Sequence, residues 1–87
     1  MTAIPAEFLE FSAHARGVMA ERQIPEDWVR AAIQSPDQSE LSDDGNRHFL
    51  KAIPEYGGRV LRVVASARGI PVRVVTVFFD RRLRRRL

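Results

Sequence analysis

Cysteine is absent from the 87 residues, lysine occurs once and histidine twice. Without cysteine, neither a disulfide framework nor a thiolate metal centre can form, which fits a reducing cytoplasm. The two histidines are not spaced in any recognised zinc pattern, so no metal or other cofactor is expected. Long apolar runs are missing as well. No segment approaches the roughly 20 residues of a membrane span, and Met-Thr-Ala-Ile-Pro-Ala-Glu-Phe lacks a basic stretch leading into an apolar one. The expectation is a soluble cytoplasmic protein with no membrane partner. There is no internal repeat, and at this length there is material for one small core.

The scarcity of lysine throws weight on arginine, which supplies 13 of the 14 basic side chains. Its planar fork binds phosphate bidentately and stacks on bases, so the composition permits nucleic-acid contact. The net charge of +3 is unevenly spread. Residues 1–80 carry 9 basic and 11 acidic side chains, whereas 81–87 carry 5 arginines and no acid. Residues 1–80 are read as a single α+β domain and 81–87 as an arginine-rich C-terminal tail.

The longest ordered signal runs from Arg59 to Phe79. Two β-branched and aromatic runs flank Arg-Gly-Ile-Pro, a pattern for two antiparallel strands joined by a turn. Leu61, Val63 and Ala65 alternate with Arg62 and Ser66. In the second run Val72, Val74 and Phe78 are expected to share a face with Thr76. Apolar residues on both faces place this hairpin centrally, and no other segment can contribute as much burial. Upstream, Glu7 to Phe11 is a short strand or the lead into a helix. Ser12 is an N-cap for a helix through about Arg22, with Ala15, Val18 and Met19 on its buried stripe. Pro25-Glu26-Asp27 opens a second helix, its acids at the positive end of the dipole, and Trp28, Val29, Ala32 and Ile33 form one apolar face. Gln38 to Ser42 reads as a polar edge strand, Asp43-Asp44-Gly45-Asn46 as a turn and Arg47 to Ile53 as a half-exposed strand. The whole is α+β, with two N-terminal helices packed on a three- to four-stranded antiparallel sheet.

Ser12, His14, Ala15, Met19, Arg22, Ile24, Glu26, Val29, Pro36 and Asp37 together resemble the signature of a bacterial family known as domain of unknown function 4258. Gly45 and Arg47 entering a strand, then Leu61-Arg62-Val63-Val64 and Val74-Val75-Thr76-Val77, extend the resemblance over nearly the whole chain. One position departs: the pattern has arginine before Met19, and here Val18 stands there, with Arg16 about 200° round the helix. The order of elements is also similar to the BrnT-like and RelE-like toxins, compact ribonucleases of toxin–antitoxin pairs. The resemblance implies a metal-independent endoribonuclease, with RNA as substrate and an antitoxin-like protein as partner.

Cleaving RNA without a metal needs a base for the 2′-hydroxyl, an acid for the leaving oxygen and cations for the charged phosphorane. The candidates for catalysis are His14, His48 and Arg22. Arg16, Arg47, Arg62, Arg73 and Tyr56 are the candidates for binding RNA or phosphate, the arginines by charge and the tyrosine by stacking. His14 would lie in the first turn of the first helix, where the dipole favours neutral imidazole. Each has a plainer reading: a packed or solvated histidine, an arginine closing a helix or paired with Glu26, a solvated sheet face. Two non-catalytic alternatives follow, a nucleic-acid- or protein-binding module and a homo-oligomer formed through the sheet.

Overall fold

A computed structural model describes residues 9–66, 68–69 and 71–83. In chain order the elements are β1 (Leu9–Phe11), α1 (Ala13–Arg22), α2 (Glu26–Gln34), β2 (Gln38–Leu41), β3 (Asn46–Ile53), β4 (Arg59–Ser66) and β5 (Val72–Asp80). The strands form one sheet in the order β1-β5-β4-β3-β2. β2 to β5 run as an antiparallel meander, and β1 pairs parallel with β5, Leu9 opposite Val72 and Phe11 opposite Val74. The expected sheet of three or four strands is therefore a mixed sheet of five. Of the expectations for the chain ends, those on Glu7, Phe8 and residues 84–87 lie outside the described residues.

Ser12 forms the expected cap and does more. Its hydroxyl accepts from the Ala15 amide at 3.0 Å and donates to the Val75 carbonyl at 3.0 Å, tying the start of α1 to β5. α1 ends at Gln23, which takes a left-handed conformation (φ 56°, ψ 46°). The Gln23 amide reaches the Ala20 carbonyl and the Ile24 amide reaches Met19 at 2.8 Å, while Met19 and Ile24 are both buried. That is a Schellman closure with its apolar contact, so Arg22 is not needed to satisfy the last carbonyls. Nor does Arg22 pair with Glu26, which accepts from Arg30 at 2.8 Å and from Arg16 at 3.5 Å. Within α1, a methyl group placed on Gly17 would meet nothing within 4 Å. Gly17→Ala is expected to raise stability by about 0.5–1 kcal/mol, seen as a higher urea midpoint with an unchanged m-value.

Both helices cover one face of the sheet. Ala15 and Met19 of α1, with Val29, Ala32 and Ile33 of α2, pack on Phe49, Leu61, Val63, Ala65, Val74 and Val77. Val18 and Trp28 are half-buried against this core. β4 is the central strand, and from Val60 to Ala65 every residue is buried.

The second strand of the central hairpin corrects a sequence expectation. Val64 lies opposite Thr76 but Ala65 lies opposite Val74, so Val75 is an extra residue on β5. This β-bulge resets the alternation by one position. Val72 and Val74 face the helices, and beyond the bulge Val77 and Phe79 do so. Thr76 and Phe78 are turned to the other face, in register with Val64 and Arg62, instead of sharing the face of Val72 and Val74. The carbonyl of the bulged Val75 is the one that Ser12 captures.

Candidate functional site

Cross-strand partners share a face of a sheet, as do residues two apart on one strand. Glu40 is opposite His48 and His48 opposite Val64, while Leu50 and Phe78 flank Arg62 and Val60 faces Asp80. Glu40, His48, Arg62 and Asp80, from four successive strands, therefore all lie on the face turned away from the helices. Arg62 is their hub, with a side chain only 10% exposed. Its Nε donates to Asp80 Oδ2 at 3.1 Å, and its Nη2 lies 3.0 Å from the same oxygen. Its Nη1 lies 3.1 Å from Glu40 Oε1 and 2.9 Å from His48 Nδ1. A guanidinium only donates, so His48 Nδ1 must accept. That contact selects the neutral imidazole with its proton on Nε2.

Asp80 closes the network on the other side. Its side chain is 3% exposed. Besides Arg62, it accepts from the Arg82 amide at 3.0 Å, from Arg82 Nε at 3.1 Å and from Arg82 Nη2 at 3.1 Å. The Arg82 side-chain hydrogen bonds, aided by the Arg82 amide and Arg62, outweigh burial and hold its carboxyl well below the usual carboxylate range. Glu40, by contrast, is 57% exposed and keeps one oxygen without a described partner. The site thus has a rigid, paired interior and an open acidic rim.

A second feature lies at the end of the sheet where α1 finishes. An open cleft of about 370 Å³ is lined by Arg22, Tyr56, Arg59, Phe79, Asp80 and Arg81. Tyr56 ends a 3₁₀ turn that Pro54 opens, followed by Gly57 and Gly58, both with positive φ (69° and 76°). Those two glycines allow the chain to reverse tightly into β4 and leave Tyr56 45% exposed.

The remaining candidates are dispersed. His14 is exposed on the first turn of α1 and makes no hydrogen bond among the described residues. It belongs to the helical side of the sheet and His48 to the other. Arg16 lies over the Phe11 ring, 4.8 Å from its centroid, besides its contact with Glu26. Arg47 is opposite Ala65 and so faces the helical side, away from Arg62. Arg73 shares the face of Arg62 but is four registers along β4 and paired with Glu10 at 3.2 Å. The structure therefore joins His48 with Arg62, and Arg22 with Tyr56. Glu40, Arg59 and Asp80 were not singled out by the sequence, and Arg81 and Arg82 only as part of the arginine-rich tail. Asp80 carried the best available signal, an isolated acid closing the apolar run from Val74 to Phe79.

Among the described residues no group of three or more histidine, aspartate or glutamate side chains is placed to hold a metal ion, and no helix is long and apolar enough to cross a membrane. The molecule is thus an α+β domain with two helices on one side of a mixed sheet and an arginine-centred polar site on the other. The family model for a domain of unknown function, DUF4258, matches residues 11–79, and the chain belongs to that family. Neither a curated protein nor a solved structure matches it.

Proposed function

We propose that this protein is a metal-independent endoribonuclease of the toxin type, acting on single-stranded RNA at the sheet face opposite the helices. The observation that carries the reading is the convergence of Glu40 Oε1 and His48 Nδ1 on the same nitrogen of a nearly buried Arg62. A carboxylate, an imidazole and a guanidinium in contact are the three group types that phosphodiester transfer to a 2′-hydroxyl requires.

In this reading Glu40, the exposed carboxylate, takes the proton of the 2′-hydroxyl. The resulting alkoxide attacks phosphorus, and the bond to the 5′ oxygen breaks. A phosphate lodged against Arg62 and Arg82 draws Arg62 Nη1 toward itself and releases His48 Nδ1 to take a proton from solvent, to which Glu40 later returns the one it took. The imidazolium then delivers its Nε2 proton to the leaving oxygen, giving a 2′,3′-cyclic phosphate and a free 5′-hydroxyl. Arg62 and Arg82 offset the charge that builds on the phosphorane. Asp80 touches no substrate and acts by holding both arginines in place.

The test is incubation of the purified protein with total RNA, with and without chelator. Chelator-resistant cleavage is expected, lowered about 100-fold or more in His48→Gln, since a positioned acid or base contributes that much. Cleavage that survives His48→Gln and disappears in His14→Ala overturns the sheet-face assignment in favour of the first helix. RNA left intact by a folded wild-type protein overturns the enzymatic reading and leaves the binding module.

A further inference from the structure

We infer that the cleft beside α1 is a nucleotide-binding site, built to stack one base on Tyr56 and hold its phosphate between Arg22, Arg59 and Arg81. The inference extends the ribonuclease reading by giving it an anchoring site for RNA, but it rests on different residues and on the other side of β5.

The aromatic half of the cleft is prebuilt. Tyr56 and Phe79 have ring centroids 4.9 Å apart, and Trp28 lies 5.8 Å from Tyr56 and 6.2 Å from Phe79, edge-on to the latter. Phe79 and Trp28 are half-buried against the core, so they brace Tyr56 while nearly half of its surface stays open. The Arg59 guanidinium lies over the Tyr56 ring, 4.7 Å from its centroid, so a base takes that face as Arg59 swings out to the phosphate. A ring already braced by its neighbours stacks a second flat group at little entropic cost.

The charged half is unbalanced. Among the described residues, Arg22, Arg59 and Arg81 form no ion pair with any carboxylate. Asp80 lines the cleft, but both its oxygens are engaged, by Arg62 and Arg82. Three guanidinium groups around one cleft repel one another unless an anion joins them. Arginine suits that anion when it is phosphate, because the fork meets two oxygens at once. A cleft of about 370 Å³ is at the small end of ligand pockets and matches one nucleotide, not an extended chain. The ligand chemistry is thus a planar base joined to a phosphate, either a free nucleotide or one unit of a single strand.

The two sources separate in one titration series. A 2′-O-methyl RNA oligonucleotide resists cleavage by attack of the 2′-oxygen, so its binding, read by fluorescence anisotropy, is independent of catalysis. Alongside it, AMP and inorganic phosphate are used as competitors. The expected result is that Tyr56→Ala weakens oligonucleotide binding by about tenfold, within the range found for one lost stacking partner, and that Tyr56→Phe restores it. Arg59→Ala is expected to weaken binding and reduce the slope of log affinity against log salt by about 0.7, one phosphate contact on a single strand. Arg30→Gln, which removes one charge elsewhere, is expected to change affinity less than twofold. Competition by AMP but not by phosphate identifies a free nucleotide as sufficient; competition by neither identifies a nucleotide within a strand. Equal binding by wild type and both Tyr56→Ala and Arg59→Ala overturns the site, even if RNA is cleaved. Tyr56-dependent binding without cleavage keeps the site and removes the ribonuclease reading.

Discussion

Asp80→Ala is expected to lower stability by about 3–5 kcal/mol, the usual cost of removing one partner from a buried ion pair. The loss comes less from the contact than from what is left behind. Arg62, 10% exposed and in the middle of the sheet, would keep a full charge with only the rim carboxylate of Glu40 to offset it. Removing both ends of the pair tests that account. In Arg62→Met/Asp80→Leu nothing charged remains buried at the centre, so the double variant is expected to be more stable than Asp80→Ala alone. Urea unfolding of wild type, Asp80→Ala, Asp80→Leu, Arg62→Met and the double variant measures the difference, and a double variant that loses the sum of the Asp80→Leu and Arg62→Met effects would sink the argument.

The same carboxylate fixes the direction of the acid response. Its folded-state pKa is depressed, chiefly by the Arg82 side chain, so the stability it contributes is fully present above the unfolded value near 4. It fades as pH falls below about 4 toward the folded value, where proton uptake by the unfolded chain favours unfolding.

Leu61→Ala is expected to cost about 3–4 kcal/mol, a large share of the roughly 5–15 kcal/mol typical of a domain. Leu61 is fully buried on the central strand, opposite Lys51 on one side and Phe79 on the other. Strands hydrogen-bonded on both edges cannot move inward to fill the space, so the cavity persists and the cost stays above the low end of the known range. Leu41 is the matched control, the same residue type on the edge strand β2 and 65% exposed. Leu41→Ala is expected to change stability by no more than about 0.5 kcal/mol. Similar urea midpoints for the two variants would contradict the placement of β4 at the centre of the sheet.

Local chemistry made much of this fold readable. Ser12 announced α1 because its hydroxyl competes well for an orphan amide, and Pro25-Glu26-Asp27 announced α2 through backbone preference and charge. The central hairpin was readable because its apolar density on both faces has no other explanation. Other features were less so. β1, read as either a short strand or the lead into a helix, has three residues and pairs with a strand far along the chain, so no period decides between the two. The bulge at Val75 occurs within an unbroken run of β-formers, and any register through Val74-Val75-Thr76-Val77 is locally acceptable. The polar site arises from four strands meeting side by side: Arg62 and His48 could be named singly, but Glu40 and Asp80 acquire meaning only once the strand order is known. Arg59 was obscured by the abundance of arginine, and Arg81 was read only as part of the tail, since a residue that is everywhere marks no place.

The parallel pairing of Leu9–Phe11 with Val72–Val74 also governs how the protein emerges from the ribosome. The first strand of the sheet to be synthesised needs a partner that appears only after some sixty further residues have been added, and the oxygen that Ser12 captures belongs to the same late segment. The hairpins of the meander close locally as they appear, but the β1 edge cannot seal, nor the helix cap be anchored, before β5 leaves the exit tunnel. A ribosome stalled before that point carries an unsealed sheet, exposed to chaperones and proteases. Synthesis of β5 is therefore built into the fold as the condition for a sealed β1 edge and an anchored helix cap.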